Sequence, residues 1–168
     1  MVVVVTASNV LVQFQINDWL TWGAFTYPAA FLITDLINRR LGPKAARYVV
    51  CVGFAAAVLV SAVVLEGFFD GPRIALASGV AFLAGQMLDV SLFNRMRDAS
   101  AWWQPPLVSS VFASALDTVL FFGLAFAGTD VPWMTLAAGD YGVKLLTAGV
   151  LLIPFRLLMN VGRPVPST

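Results

Sequence analysis

The sequence predicts an all-α integral membrane protein, six transmembrane helices packed as one compact domain over residues 1–168. Three observations predict it. Hydrophobic residues make up 60% of the chain and charged residues only 11%, whereas soluble domains carry about 25% charged residues. Six apolar runs each approach the ~20 residues that a helix rising ~1.5 Å per residue needs to cross ~30 Å of hydrocarbon. Short polar or Gly/Pro-containing segments separate these runs, and the sign of their charge alternates from one connection to the next.

The first run, 1–16, leads from Met1 straight into a valine stretch with no basic leader, so it is expected to stay in the mature protein. It carries Asn9, Gln13 and Gln15. The second, 22–38, holds Thr34, Asp35 and Asn38, and Pro28 inside it is expected to kink it. The third, 45–65, is almost free of polar residues and reads as a wall of the bundle. Ser78, Gln86 and Asp89 lie on the fourth, 74–93, among the small residues Gly79, Ala81, Ala84 and Gly85, which permit close helix contact. The fifth, 107–127, holds Ser114, Asp117 and Thr118. The sixth, 133–158, holds Asp140, Lys144, Pro154 and the glycines 139, 142 and 149.

Charge assigns the sides. Arg39, Arg40, Lys44 and Arg47 follow the second run, Arg95 and Arg97 the fourth, and Arg156 and Arg163 lie at the end. The opposite connections carry Asp18, then Glu66, Asp70 and Arg73, then Asp130. By the positive-inside rule both termini and the two basic loops are expected in the cytoplasm of a bacterial inner membrane protein.

A charged side chain at the centre of the hydrocarbon costs ~2.5–3.5 kcal/mol on insertion scales, so the charges of the sixth run need partners. Asp140 and Lys144 are four residues apart, acid first, which suits an ion pair on one helix face. That face must look into the bundle. Asp117 lies about ten residues, ~15 Å, into its helix from one side, and Lys144 a similar distance from the other, so both fall near the midplane. For Asp35 and Asp89, ion pairs with Arg39 and Arg95 compete at least evenly with ligand contacts. Phe31, Phe82, Phe121, Phe122 and Phe126 read as core or lipid-facing rather than as a stacking box.

Several chemistries are excluded. The chain has no histidine and a single cysteine, Cys51, so it has neither an internal disulfide nor the usual metal ligand set. No nucleophile and base pair, no phosphate-cradling glycine loop and no metal-ligand spacing is present, so neither catalysis nor a cofactor is expected, and nothing suggests nucleic acid as a partner. The chemistry on offer is binding and charge compensation.

The runs TYPAAFLITDLIN (26–38), GPKAAR (42–47) and AFLAGQMLDVSLFNRMR (81–97), the ALD of 115–117, and the later Lys144 and Pro154 resemble the queuosine precursor transporter family, also called the vitamin uptake transporter family. The resemblance covers about residues 21–155. It implies uptake of 7-deazaguanine bases, the 7-cyano and 7-aminomethyl precursors of queuosine. It also implies a fold similar to the six-helix substrate-binding subunits of energy-coupling-factor importers. A guanine-like base offers a ring N–H beside an amine, which one carboxylate can accept, and a carbonyl that wants a donor. On this reading Asp117, Gln86, Asp140, Lys144 and Gln13 line the substrate site, and Asp35, Asp89 and Asn38 act as gate or ion-pair elements. Other readings stay open. A proton-coupled carrier would exchange a proton at a carboxylate such as Asp117. A passive facilitator, a binding subunit served by a separate energising partner, a homo-oligomer, or an assembly subunit in which the Asp140–Lys144 pair only specifies packing would fit the same residues.

Overall fold

The computed structural model describes residues 1–64 and 71–159. The expected ends of the third run at Leu65 and of the C-terminal basic cluster at Arg163, and the loop acids Glu66 and Asp70, lie outside the described residues. The described elements are α1 (Val2–Leu11), β1 (Gln15–Asn17), β2 (Leu20–Thr21), α2 (Gly23–Thr26), α3 (Ala29–Leu41), α4 (Pro43–Val64), α5 (Gly71–Arg95), α6 (Gln104–Phe126) and α7 (Trp133–Leu158).

Four of these helices are long and apolar enough to cross a membrane, within Pro43–Val60, Pro72–Arg95, Gln104–Phe126 and Trp133–Leu158. They match the third to sixth predicted spans within a few residues. The first two spans depart from expectation. α1 has 10 residues, or ~15 Å, and Met1 packs on Gly53 in the middle of α4. The helix therefore covers only part of the layer's thickness. It stops because Gln13, Gln15, Asn17 and Asp18 bring polar groups that a lipid-facing helix would strand.

Instead the chain turns. β1 and β2 pair antiparallel, Gln15 with Thr21 and Asn17 with Leu20, and Asn17 Oδ1 accepts the Trp19 N–H at 2.9 Å to fix the turn. This hairpin lies on the first half of α7: Thr135 Oγ1 donates to the Asp18 carbonyl at 2.7 Å, and the Trp19 carbonyl fills the place where a Cβ on Gly139 would stand. The second predicted span is split at Pro28, which ends one helical turn and opens α3, since its ring blocks a continuous hydrogen-bond ladder. Gly42, at φ 88°, then reverses the chain before Pro43 starts α4. That conformation suits glycine alone.

The core is layered along the bundle. At one end Val12, Ile74, Phe122, Phe126 and Leu136 pack together. In the middle lie Val5, Tyr27, Phe31, Val50, Phe82 and Ala113. At the other end Phe93, Phe155 and Met159 meet Trp102. Phe31, Phe82, Phe122 and Phe126 are thus core residues, as expected. The outward faces are apolar: Leu59, Val63, Leu76, Val119, Leu146, Ile153 and Leu157 are each more than 60% exposed. A water-soluble fold would not leave so much contiguous apolar surface.

The arginines gather at the Trp102 end. Arg97 donates to the carbonyl and side-chain oxygen of Asn38 at 2.6 and 2.8 Å, Arg39 to the Arg97 carbonyl, and Arg40 to the Leu158 carbonyl. Arg156 lies over the Trp102 ring at 5.0 Å. The opposite end holds Arg73, bonded to the last carbonyls of α6 at Leu124 and Ala127. Arg40 and Arg73 therefore satisfy carbonyls at helix ends that the ladder leaves open, while Arg39 and Arg97 tie the end of α3 to the loop after α5.

Candidate functional site

The centre of the bundle is polar. Ser8 and Asn9 of α1, Tyr27 before α3, Ser78 of α5, Asp117 and Thr118 of α6 and Asp140 and Lys144 of α7 are all buried. Lys144 joins them. Its Nζ lies 2.8 Å from Asp117 Oδ2 and 2.6 Å from Asp140 Oδ2, and 2.9 Å from Thr118 Oγ1. Thr118 Oγ1 in turn donates to Asp140 Oδ2 at 2.8 Å, and the Tyr27 hydroxyl donates to Asp117 Oδ1 at 2.8 Å. The Tyr27 ring also lies 5.0 Å from the ammonium, close enough for its face to favour the cation.

The pair read from spacing, Asp140 with Lys144, is therefore formed, and Asp117 joins it from the neighbouring helix. Close packing makes this possible. A Cβ on Gly85 would stand 3.0 Å from Asp117 Cβ and 3.3 Å from the Ala113 carbonyl, so α5 and α6 touch at the level of the charges. Two carboxyl groups meeting one ammonium keep acceptor capacity that Lys144 and Tyr27 do not exhaust, because each carboxylate offers about four lone-pair sites.

Two cavities flank this cluster, and Lys144 lines both. The first is bounded by Ser8, Asn9, Tyr27, Ser78, Asp117 and Asp140. The second extends toward the arginine-rich end and is bounded by Pro28, Phe31, Asp35, Ser110, Ser114 and Phe155. Each has a mixed lining of apolar walls and a few polar atoms, as small-molecule sites usually have.

Other predicted site residues fall elsewhere. Gln13 lies past the end of α1 and donates Nε2 to the Asn9 carbonyl at 3.3 Å. It borders neither cavity, because the helix that would have carried it inward has already ended. Asn38 is fully buried and braces helices, donating Nδ2 to the Val90 carbonyl at 3.2 Å while accepting from Arg97. Asp35 and Asp89 do not form the expected ion pairs with Arg39 and Arg95. They face each other between α3 and α5, with Ser109 and Ser110 of α6 beside them. Their depth explains this, since an arginine at the helix end cannot reach them without dragging its own charge inward. Gln86 is fully buried, borders neither cavity, and neither amide atom has a hydrogen-bond partner.

Four side chains were not singled out from the sequence: Ser8, Tyr27, Ser109 and Ser110. Tyr27 stands next to a proline, where a tyrosine reads as a turn or interface residue. Ser109 and Ser110 lie near a helix start, where serine is common for local reasons. The signal that could have found Ser110 is its four-residue spacing from Ser114 on one face of α6; Ser109 carries no such mark.

The family model of the vitamin uptake transporter matches residues 21–159. The chain belongs to the vitamin uptake transporter family. Among its relatives are the queuosine precursor transporter of Escherichia coli K12, 36% identical over 94% of this chain and 82% of that protein, and a probable queuosine precursor transporter of Haemophilus influenzae, 36% identical over 94% and 83%. A probable queuosine precursor transporter of Bacillus subtilis is 28% identical over 79% and 68%. No solved structure matches. As a member of the vitamin uptake transporter family with four helices able to span a bilayer, the chain is a multi-pass membrane transporter and not an enzyme. The charged cluster lies wholly inside the matched segment.

Proposed function

We propose that this transporter imports the queuosine precursors 7-cyano- and 7-aminomethyl-7-deazaguanine across the bacterial inner membrane, and that the base binds against the Lys144 cluster. The observation that carries the reading is a desolvated cluster of two carboxyl groups and one ammonium opening onto two cavities. The names of the relatives support the substrate class.

The chemistry follows from the base. Its ring N–H and exocyclic amine are adjacent donors, which Asp117 or Asp140 accepts together, and its carbonyl accepts from Lys144. Tyr27 holds Asp117 in orientation and takes up one of its lone pairs. In the aminomethyl precursor the extra cation meets the second carboxylate. Selectivity comes from burial: a base lacking one of these groups leaves a dry polar atom unpaired, at a cost of ~1–3 kcal/mol. Asn9 and Ser8 on the wall of the first cavity supply further polar contacts at the edge of the ring.

The test is queuosine in the tRNA of cells that cannot make the precursor, carry this gene, and receive a low concentration of each base. Queuosine returns with the native chain and fails to return with Asp117→Asn expressed at the same level. Absence of queuosine with native protein present in the membrane refutes the substrate assignment. Equal restoration by both refutes the site.

A further inference from the structure

A second polar cluster lies apart from the Lys144 network. Asp35 of α3 and Asp89 of α5 face each other at 3% and 0% exposure, with Ser109 and Ser110 of α6 alongside. The two carboxyl groups lie near enough to interact with each other and with the Ser109 and Ser110 hydroxyls, but no well-formed hydrogen bond reaches either Asp89 oxygen or Asp35 Oδ1. Ser109 spends its hydroxyl on the Pro106 carbonyl at 3.4 Å. Gln86, one turn before Asp89 on the same side of α5, leaves both amide atoms unpartnered, and so does the hydroxyl of Thr34 beside Asp35.

So many unmet acceptors in one dry place are rare in folded proteins, where nearly all buried polar groups are paired. Two carboxyl groups face to face in a low-dielectric interior repel unless positive charge lies between them. Among the described residues neither acid has a salt bridge in view: Gln86, Ser109, Ser110 and Thr34 are neutral, Arg97 is bonded to Asn38, and Lys144 to Asp117 and Asp140. The second cavity reaches Asp35 and so gives access from the side of the arginine-rich end.

We propose that Asp35 and Asp89, with Gln86 and the flanking hydroxyls, form the site of a monovalent coupling cation, a proton or Na⁺, whose gradient drives accumulation of the transported base. A proton would be shared between the two carboxyl groups; Na⁺ would take the same oxygens as ligands. Asp35 lines the second cavity together with Lys144. Its charge therefore changes the field in the space through which the base passes. The proposal rests on the importer reading for its transport role, but the cation site itself is separable from it.

Two measurements test it. In the first, the purified protein in lipid vesicles is compared with Asp35→Asn/Asp89→Asn, an isosteric change that removes both charges. A proton site gives an infrared carboxyl band, shifted in D₂O, that the double variant lacks. A Na⁺ site gives a rise in unfolding temperature when Na⁺ replaces choline, again lost in the variant. A native protein with neither response overturns the site. In the second, labelled 7-deazaguanine base is followed into vesicles, as exchange without a gradient and as accumulation under an inward proton or Na⁺ gradient. The proposal expects the double variant to lose gradient-driven accumulation relative to its own exchange, and an unchanged ratio overturns the coupling. Native vesicles that exchange no base refute the importer reading, while the first measurement still decides the cation site.

Discussion

At Lys144 one ammonium holds two carboxyl groups that would otherwise be buried against each other. Removing one partner of a buried ion pair costs ~3–5 kcal/mol, because the remaining charges keep their desolvation penalty. Lys144→Met should therefore lower the thermal unfolding midpoint in detergent sharply. Asp117→Asn should lower it less, because Lys144 keeps Asp140 and Thr118. Equal losses would contradict this account of the cluster. The residues of this network were largely legible in the sequence. A fixed rise per residue places Asp117 and Lys144 at one depth, and four-residue spacing sets Asp140 beside Lys144. Tyr27 was not legible, since its partner Asp117 is 90 positions away and nothing local marks the contact. Asp35 and Asp89 were legible as buried acids but not as facing one another, because pairing across helices depends on rotation that spacing does not fix.

Between elements, the α5–α6 contact at Gly85 sets how near Asp117 comes to the axis of the bundle. A larger side chain there meets Asp117 Cβ and the Ala113 carbonyl, a backbone atom that cannot swing away. Gly85→Val is expected to separate the two helices at the charged layer and to abolish thermal stabilisation by added base. Gly142→Ala, with nothing within 4 Å of its Cβ, is expected to preserve it. Stabilisation of both variants by base would show that this contact does not shape the site. The small residues of α5 were legible as contact points, and Gly79, against Phe54 and Val58, and Gly85 are such points. Gly142 and Gly149 are not, because composition marks small residues without saying which way a helix turns. The β1–β2 hairpin left no pattern long enough to read: strands of three and two residues show no alternation.

Across the whole molecule, the basic loops and the end of α7 meet at one end of the bundle, and the Asp18 and Asp130 turns lie at the other. The charge bias predicts that the arginine-rich end faces the cytoplasm. With Cys51 replaced by serine, Asp130→Cys should react with a membrane-impermeant maleimide added to intact cells, and Ser100→Cys should react only after lysis. The reverse pattern would invert the molecule. Four of the six spans were legible because length and apolarity alone define them; the other two failed where polar residues and Pro28 broke a helix that hydropathy treats as continuous. One consequence follows from Lys144 bordering both cavities. No substitution at this position can alter one chamber and spare the other. If the base binds here as proposed, a change of preference confined to one chamber is expected from walls that belong to it alone, Ser8, Asn9 and Ser78 on one side or Ser110 and Ser114 on the other. Position 144 answers to both chambers at once.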